Sequence, residues 1–119
     1  MIESKVPAHL APYIDVLGTE RAVALFLELG GSQVYLAGRR SGERALAARI
    51  IGKQQVTRLA AALGDSYIKV PLARRWVASV LRDQGKSDNE IARLIRADIA
   101  TVRRWLGPKP DADQLSLLL

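Results

Sequence analysis

Five residues on one short stretch, Ile99, Ala100, Thr101, Arg103 and Arg104, have the chemistry needed to read the edges of DNA base pairs. Arginine presents a flat fork of donors that matches the O6 and N7 acceptors of guanine, a pairing worth about 1–3 kcal/mol of discrimination. Isoleucine and alanine offer the apolar contact that suits a thymine methyl, and threonine fixes register on a phosphate. A second set, Arg74, Arg75, Lys86, Ser87 and Arg96, is suited to phosphate oxygens rather than to bases.

Other chemistry is poorly represented. The chain has no cysteine and one histidine, His9, so it offers neither a disulfide nor a thiolate metal site. Paired carboxylates, a phosphate-cradling glycine loop and a nucleophile elbow are all missing, so the residues predict no enzyme, no cofactor and no metal. Eighteen basic residues against twelve acidic ones give a net charge of +6 and a pI near 10.2. That balance points to nucleic acid or another anionic surface as the partner. Hydrophobic residues at 49% and charged residues at 25% fit an ordinary folded chain. No apolar run approaches the ~18 residues that span a bilayer, and the opening ten residues lack a signal-peptide core. The expectation is no membrane partner and a cytoplasmic, nucleoid-associated place in a bacterial cell.

The base-reading stretch needs a helix to carry it. Ser87-Asp88-Asn89-Glu90 has the form of a capping box, with the Ser87 hydroxyl accepting from the Glu90 amide and the Glu90 carboxylate reaching back. The helix it opens is expected to carry Ile91, Leu94 and Ile95 inward, with Ala92 small where a following helix passes. A break at Arg96-Ala97 leads to Asp98, a good N-cap for a helix over Ile99–Leu106 with Val102 and Leu106 facing the core and Trp105 either in the core or flanking a phosphate. Gly107-Pro108 ends that helix. Upstream, Trp76, Val77, Val80 and Leu81 make the apolar face of another helix that stops at Gly85. Three helices with a tight turn between the last two predict a helix-turn-helix over residues 72–107, with residues 99–106 in a major groove. Arginines on a short helix are often only a solvated face, and such trihelices also dock proteins. Capping box, core spacing and basic excess together favour DNA.

The first 71 residues repeat. Moved by 34 positions, Gly18 falls on Gly52, Leu25 on Leu59, Leu29 on Leu63, Gly30 on Gly64, Ser32 on Ser66, Val34 on Ile68 and Leu36 on Val70. Each copy holds a short helical stretch (Ala8 to Leu17, Glu43 to Ile51) and a longer one with apolar residues at helical spacing. A glycine expected to form a left-handed cap follows in each. Alternating runs come next, Gln33-Val34-Tyr35-Leu36 and Tyr67-Ile68-Lys69-Val70, which predict strands with one apolar face. A tetratricopeptide array has this period but no strands, and two copies are too few for a solenoid. The pattern therefore predicts a mostly α chain with a small antiparallel β element (α+β), whose residues 1–71 form a duplicated helix–strand unit. A two-stranded ribbon is marginal alone, so a second chain is expected to extend it, making a homodimer with Gln33, Val34, Tyr35 and Leu36 as the dimerisation strand. Alternatively, the duplication makes one chain its own pseudo-dimer.

The stretch Leu29-Gly30-Gly31-Ser32-Gln33-Val34-Tyr35-Leu36 resembles the glycine-glycine strand motif of the Mor transcription activator family. The resemblance spans about residues 14–106 and is distinctive at that strand and in the C-terminal helices. It implies a dimeric phage middle- or late-gene activator that binds a promoter and contacts RNA polymerase. This sequence departs from the family's pattern by inserting a second helix–strand copy, through Pro71, ahead of the DNA-binding helices.

Residues 108–119 form a third region. A stiff polar linker, Pro108 to Asp113, leads to Gln114-Leu115-Ser116-Leu117-Leu118-Leu119. Four leucines there either pack back on the protein or serve as a peptide for another protein's groove, for which Gln114, Leu115, Leu117, Leu118 and Leu119 are the candidate contacts. The hexapeptide resembles the bacterial sliding-clamp binding motif, which implies the DNA polymerase sliding clamp as a partner. The alternative function is thus a DNA-bound adaptor that recruits the clamp or another protein through this tail.

Overall fold

The computed structural model describes residues 6–36, 42–64 and 67–108. A single 3₁₀ turn, Ala8–Leu10, leads into α1 (Ala11–Leu29), followed by β1 (Gln33–Tyr35), α2 (Gly42–Ile51), α3 (Lys53–Leu63) and β2 (Tyr67–Lys69). Then come α4 (Arg74–Asp83), α5 (Asp88–Ile95) and α6 (Ile99–Leu106). The chain is mostly helical with a small two-stranded antiparallel sheet, the α+β arrangement that its pattern predicts. No helix among the described residues is long and apolar enough to cross a membrane. Contacts divide the chain into two compact units, Met1–Val77 and Ala78–Leu119, with the division falling inside α4.

The first unit packs α1 against α2 and α3. Its helices are broken at matching places. Gly18 interrupts α1 with φ 78° and ψ 166°, and Gly52 separates α2 from α3 with φ 97° and ψ 148°. A side chain at either φ is strained, so glycine is needed for the backbone itself. Burial follows the same period. Tyr13 and Ala47, Leu17 and Ile51, Ala22 and Val56, Leu25 and Leu59, Val34 and Ile68, and Leu36 and Val70 are buried in pairs 34 residues apart. Phe26 extends the core of this unit, meeting Tyr13 edge-on at 5.3 Å and Trp76 at 6.0 Å between ring centres.

The two strands pair with each other, Gln33 opposite Lys69, Val34 opposite Ile68 and Tyr35 opposite Tyr67. The repeat-equivalent residues Val34 and Ile68 thus face one another at the centre of the ribbon. Leu36 and Val70, expected inside the strands, lie just beyond them and are buried. The alternation puts Val34 and Ile68 inward and leaves Gln33, Tyr35, Tyr67 and Lys69 exposed. Beyond the strands, Gly31 N donates to Val70 O at 2.7 Å and Val70 N to Ser32 O at 2.8 Å.

One cap differs from expectation. Gly64 ends α3 in the left-handed region (φ 65°), but Gly30 has φ −54°, which any residue adopts. Gly30 is required by space instead. A Cβ there would collide with the Phe26 carbonyl oxygen and lie 3.1 Å from both Leu72 Cα and Pro71 O. The positive φ of that turn belongs to Gly31, at 87°.

Candidate nucleic-acid interface

The second unit holds the end of α4 with α5 and α6. Among the described residues, its buried apolar side chains are Ala78, Val80 and Leu81 from α4, Ile91, Ala92 and Ile95 from α5, and Val102 from α6. Leu94, expected inward, is 44% exposed. On an eight-residue helix Ile91, Ala92 and Ile95 already fill the inward arc, and Leu94 falls beyond its edge. Leu106 and Trp105 are half-buried, so Val102 alone is the fully enclosed anchor of α6.

Local chemistry sets both ends of the α5–α6 connection. Ser87 and Glu90 form the capping box: Glu90 N donates to Ser87 Oγ at 3.1 Å, while Ser87 N and Oγ each donate to Glu90 Oε1 at 3.3 Å. The Ser87 backbone bond holds the Glu90 carboxyl below its ordinary range. Helix α5 ends at Arg96, whose φ of 59° and ψ of 47° place a non-glycine residue in the left-handed region. Asp98 then caps α6, its Oδ1 accepting from Thr101 N at 2.8 Å; hydrogen bonding by the Thr101 side chain first, and by this backbone bond second, lowers the Asp98 pKa.

This arrangement presents Ala100, Arg103 and Arg104 to solvent, with Ile99 and Thr101 half-buried beside them. The five base-edge candidates are therefore carried by one helix, and the buried Val102 fixes its opposite face. Among the phosphate candidates of this unit Arg96 is exposed, while Lys86 and Ser87 are half-buried. The Ser87 hydroxyl is already engaged in the cap. Arg74 and Arg75 are exposed on the first turn of α4, in the first unit. The Asp98 carboxylate adds negative charge where α6 begins, which disfavours a phosphate at its first-turn amides.

Sequence reasoning missed Arg82. Its guanidinium donates from Nη1 to the carbonyl oxygens of Leu106 at 3.1 Å and Gly107 at 2.9 Å, and from Nη2 to Asp88 Oδ1 at 2.8 Å. One side chain from α4 thus satisfies orphan carbonyls at the end of α6 and grips the first residue of α5. That bond from Arg82 is the main reason the Asp88 carboxyl is held below its usual pKa. A basic residue in the last turn of α4 was the available signal, but its partners lie far along the chain.

The tail candidates Gln114, Leu115, Leu117, Leu118 and Leu119 lie outside the described residues. Among the described residues no cluster of His, Cys, Asp or Glu could hold a metal ion. Searches of known protein families, curated proteins and solved structures return no match to this chain.

Proposed function

We propose that the chain is a sequence-specific double-stranded DNA-binding regulator of transcription, with a helix-turn-helix over residues 72–107 that lays α6 in the major groove. The observation that carries this reading is α6 itself: Arg103 and Arg104 stand exposed on a helix anchored from behind by the fully buried Val102. The net charge of +6 supports an anionic partner. Arg96 adds support of another kind. Glycine would fill its left-handed position at lower cost, so an exposed arginine there has a use, and a phosphate beside the reading helix supplies one.

The first unit takes the role of a duplicated dimerisation region. The matched glycine breaks and the buried pairs 34 residues apart support the duplication. With the Mor-like stretch Leu29–Leu36, the reading becomes a phage- or mobile-element-type activator, dimeric at its promoter and in contact with RNA polymerase. Selection of bound duplexes from random DNA tests the central claim. A defined motif is the expected result; recovery of unrelated duplexes with no shared motif would overturn it.

A further inference from the structure

A carboxylate beside a DNA-reading helix repels phosphate, so Asp88 looks out of place. Its position gives it a use. Asp88 is the first residue of α5, and its side chain is only 18% exposed. Its two oxygens are divided between two arginines: Oδ1 accepts from Arg82 Nη2 at 2.8 Å, and Oδ2 lies 3.6 Å from Arg103 Nε. We propose that Asp88 is a specificity-determining positioning residue, which holds the Arg103 guanidinium by its Nε edge and leaves the two terminal nitrogens aimed at a guanine. The inference rests on the base-reading role proposed for α6.

Three features carry it. First, Asp88 cannot swing away, because Arg82 is itself 13% exposed and tied to the carbonyl oxygens of Leu106 and Gly107. Second, the contact to Arg103 does not withdraw that side chain, which stays 63% exposed. Third, the contact uses Nε, so the Nη groups keep their donors for a base. A free arginine on a surface helix samples many rotamers and gives up that freedom on binding. One held in place loses less, and it rejects a wrong base more sharply because it cannot shift to another acceptor. The Asp88 charge, shared by two guanidinium groups, is largely neutralised towards the DNA.

The test begins from the duplex motif selected with the wild-type protein and compares Asp88→Asn, Arg103→Ala and the double variant on every single-base change of it. Asp88→Asn is expected to lower discrimination about five- to tenfold at the base pair that Arg103→Ala also affects, and nowhere else. Affinity for unrelated duplex should not fall, since no phosphate-directed cation is lost. In the Arg103→Ala background, Asp88→Asn should change nothing further at that base pair. NMR of the free wild-type protein provides a measurement that needs no variant: the Arg103 Nε–H should be more ordered than that of Arg104. Failure to select any motif overturns the base-reading proposal itself. A motif whose discrimination Asp88→Asn leaves intact, or equal order at Arg103 and Arg104, overturns the role of Asp88 alone. If Asp88→Asn fails to fold by circular dichroism, the wild-type comparison decides.

Discussion

The proposed function gives the basic residues of the second unit separate jobs, and substitution should separate them. Arg103→Ala or Arg104→Ala removes a fork proposed to face the bases and should relax preference at defined bases. Lys86→Ala removes only a phosphate-directed charge and should weaken all duplexes alike while flattening the salt dependence by about one unit of slope. Arg96→Gly makes a contrasting case. It relieves a left-handed backbone at φ 59° and should raise stability by about 0.5–1 kcal/mol in thermal melts, yet bind every duplex more weakly. A variant that is less stable, or that binds as well as the wild type, would leave the strained arginine without the use argued for it. At this scale the sequence was readable where chemistry is local. The Ser87–Glu90 box and the Asp98 cap follow from residues three apart. Arg82 was not readable, because nothing near it in the chain announces a bond to Leu106 and Gly107.

Elements raise a different question, namely what keeps three short helices in register. Two of them are eight residues long and too short to persist alone. Their few buried side chains are supplemented by the polar clasp of Arg82. Arg82→Met, which keeps the packing of the stem, should lower the stability of the second unit by about 2 kcal/mol, measured by denaturant unfolding. Acid should act on the same contacts. The Asp88, Glu90 and Asp98 carboxyls are all shifted down in the folded protein, Asp88 mainly by Arg82. Their contribution is present above the ordinary carboxylate pKa values and disappears as pH falls through the lowered folded ones. Stability should be flat near neutrality and decline below about pH 4, less steeply in Arg82→Met. Leu94 and Gly30 show where periodicity misled. A spacing rule says which residues share a face, but not how wide an arc the neighbours cover. Nor does it foresee that Pro71 and Leu72, 41 and 42 positions further along the chain, crowd Gly30.

At the scale of the whole molecule, the open matter is how many chains make the working particle. The strands β1 and β2 already pair with each other, and a ribbon of two strands is marginal in water. The proposed homodimer extends that ribbon through its outer edges, so light scattering should give twice the 13.0 kDa chain mass. A particle of one chain mass at working concentration would instead make the chain its own pseudo-dimer. The repeat was legible because glycines and apolar positions recur at a fixed interval. The pairing of β1 with β2 was legible too, since two short strands of like alternation in one chain complete a single antiparallel ribbon; whether a second chain extends that ribbon was not, because either edge offers the same backbone groups.

The meeting of Val34 with Ile68 also sets an order of events. These residues are 34 positions apart, and the ends of that segment must be brought together before the ribbon can form. Closing so long a segment is entropically costly until α2 and α3, which lie inside it, have shortened it. The ribbon is therefore expected to assemble after the rate-limiting barrier. Ile68→Ala should accelerate unfolding and leave the refolding rate nearly unchanged in a denaturant-jump experiment. Equal effects on both limbs would mean that the strands meet early, and that the helices close around a ribbon already made.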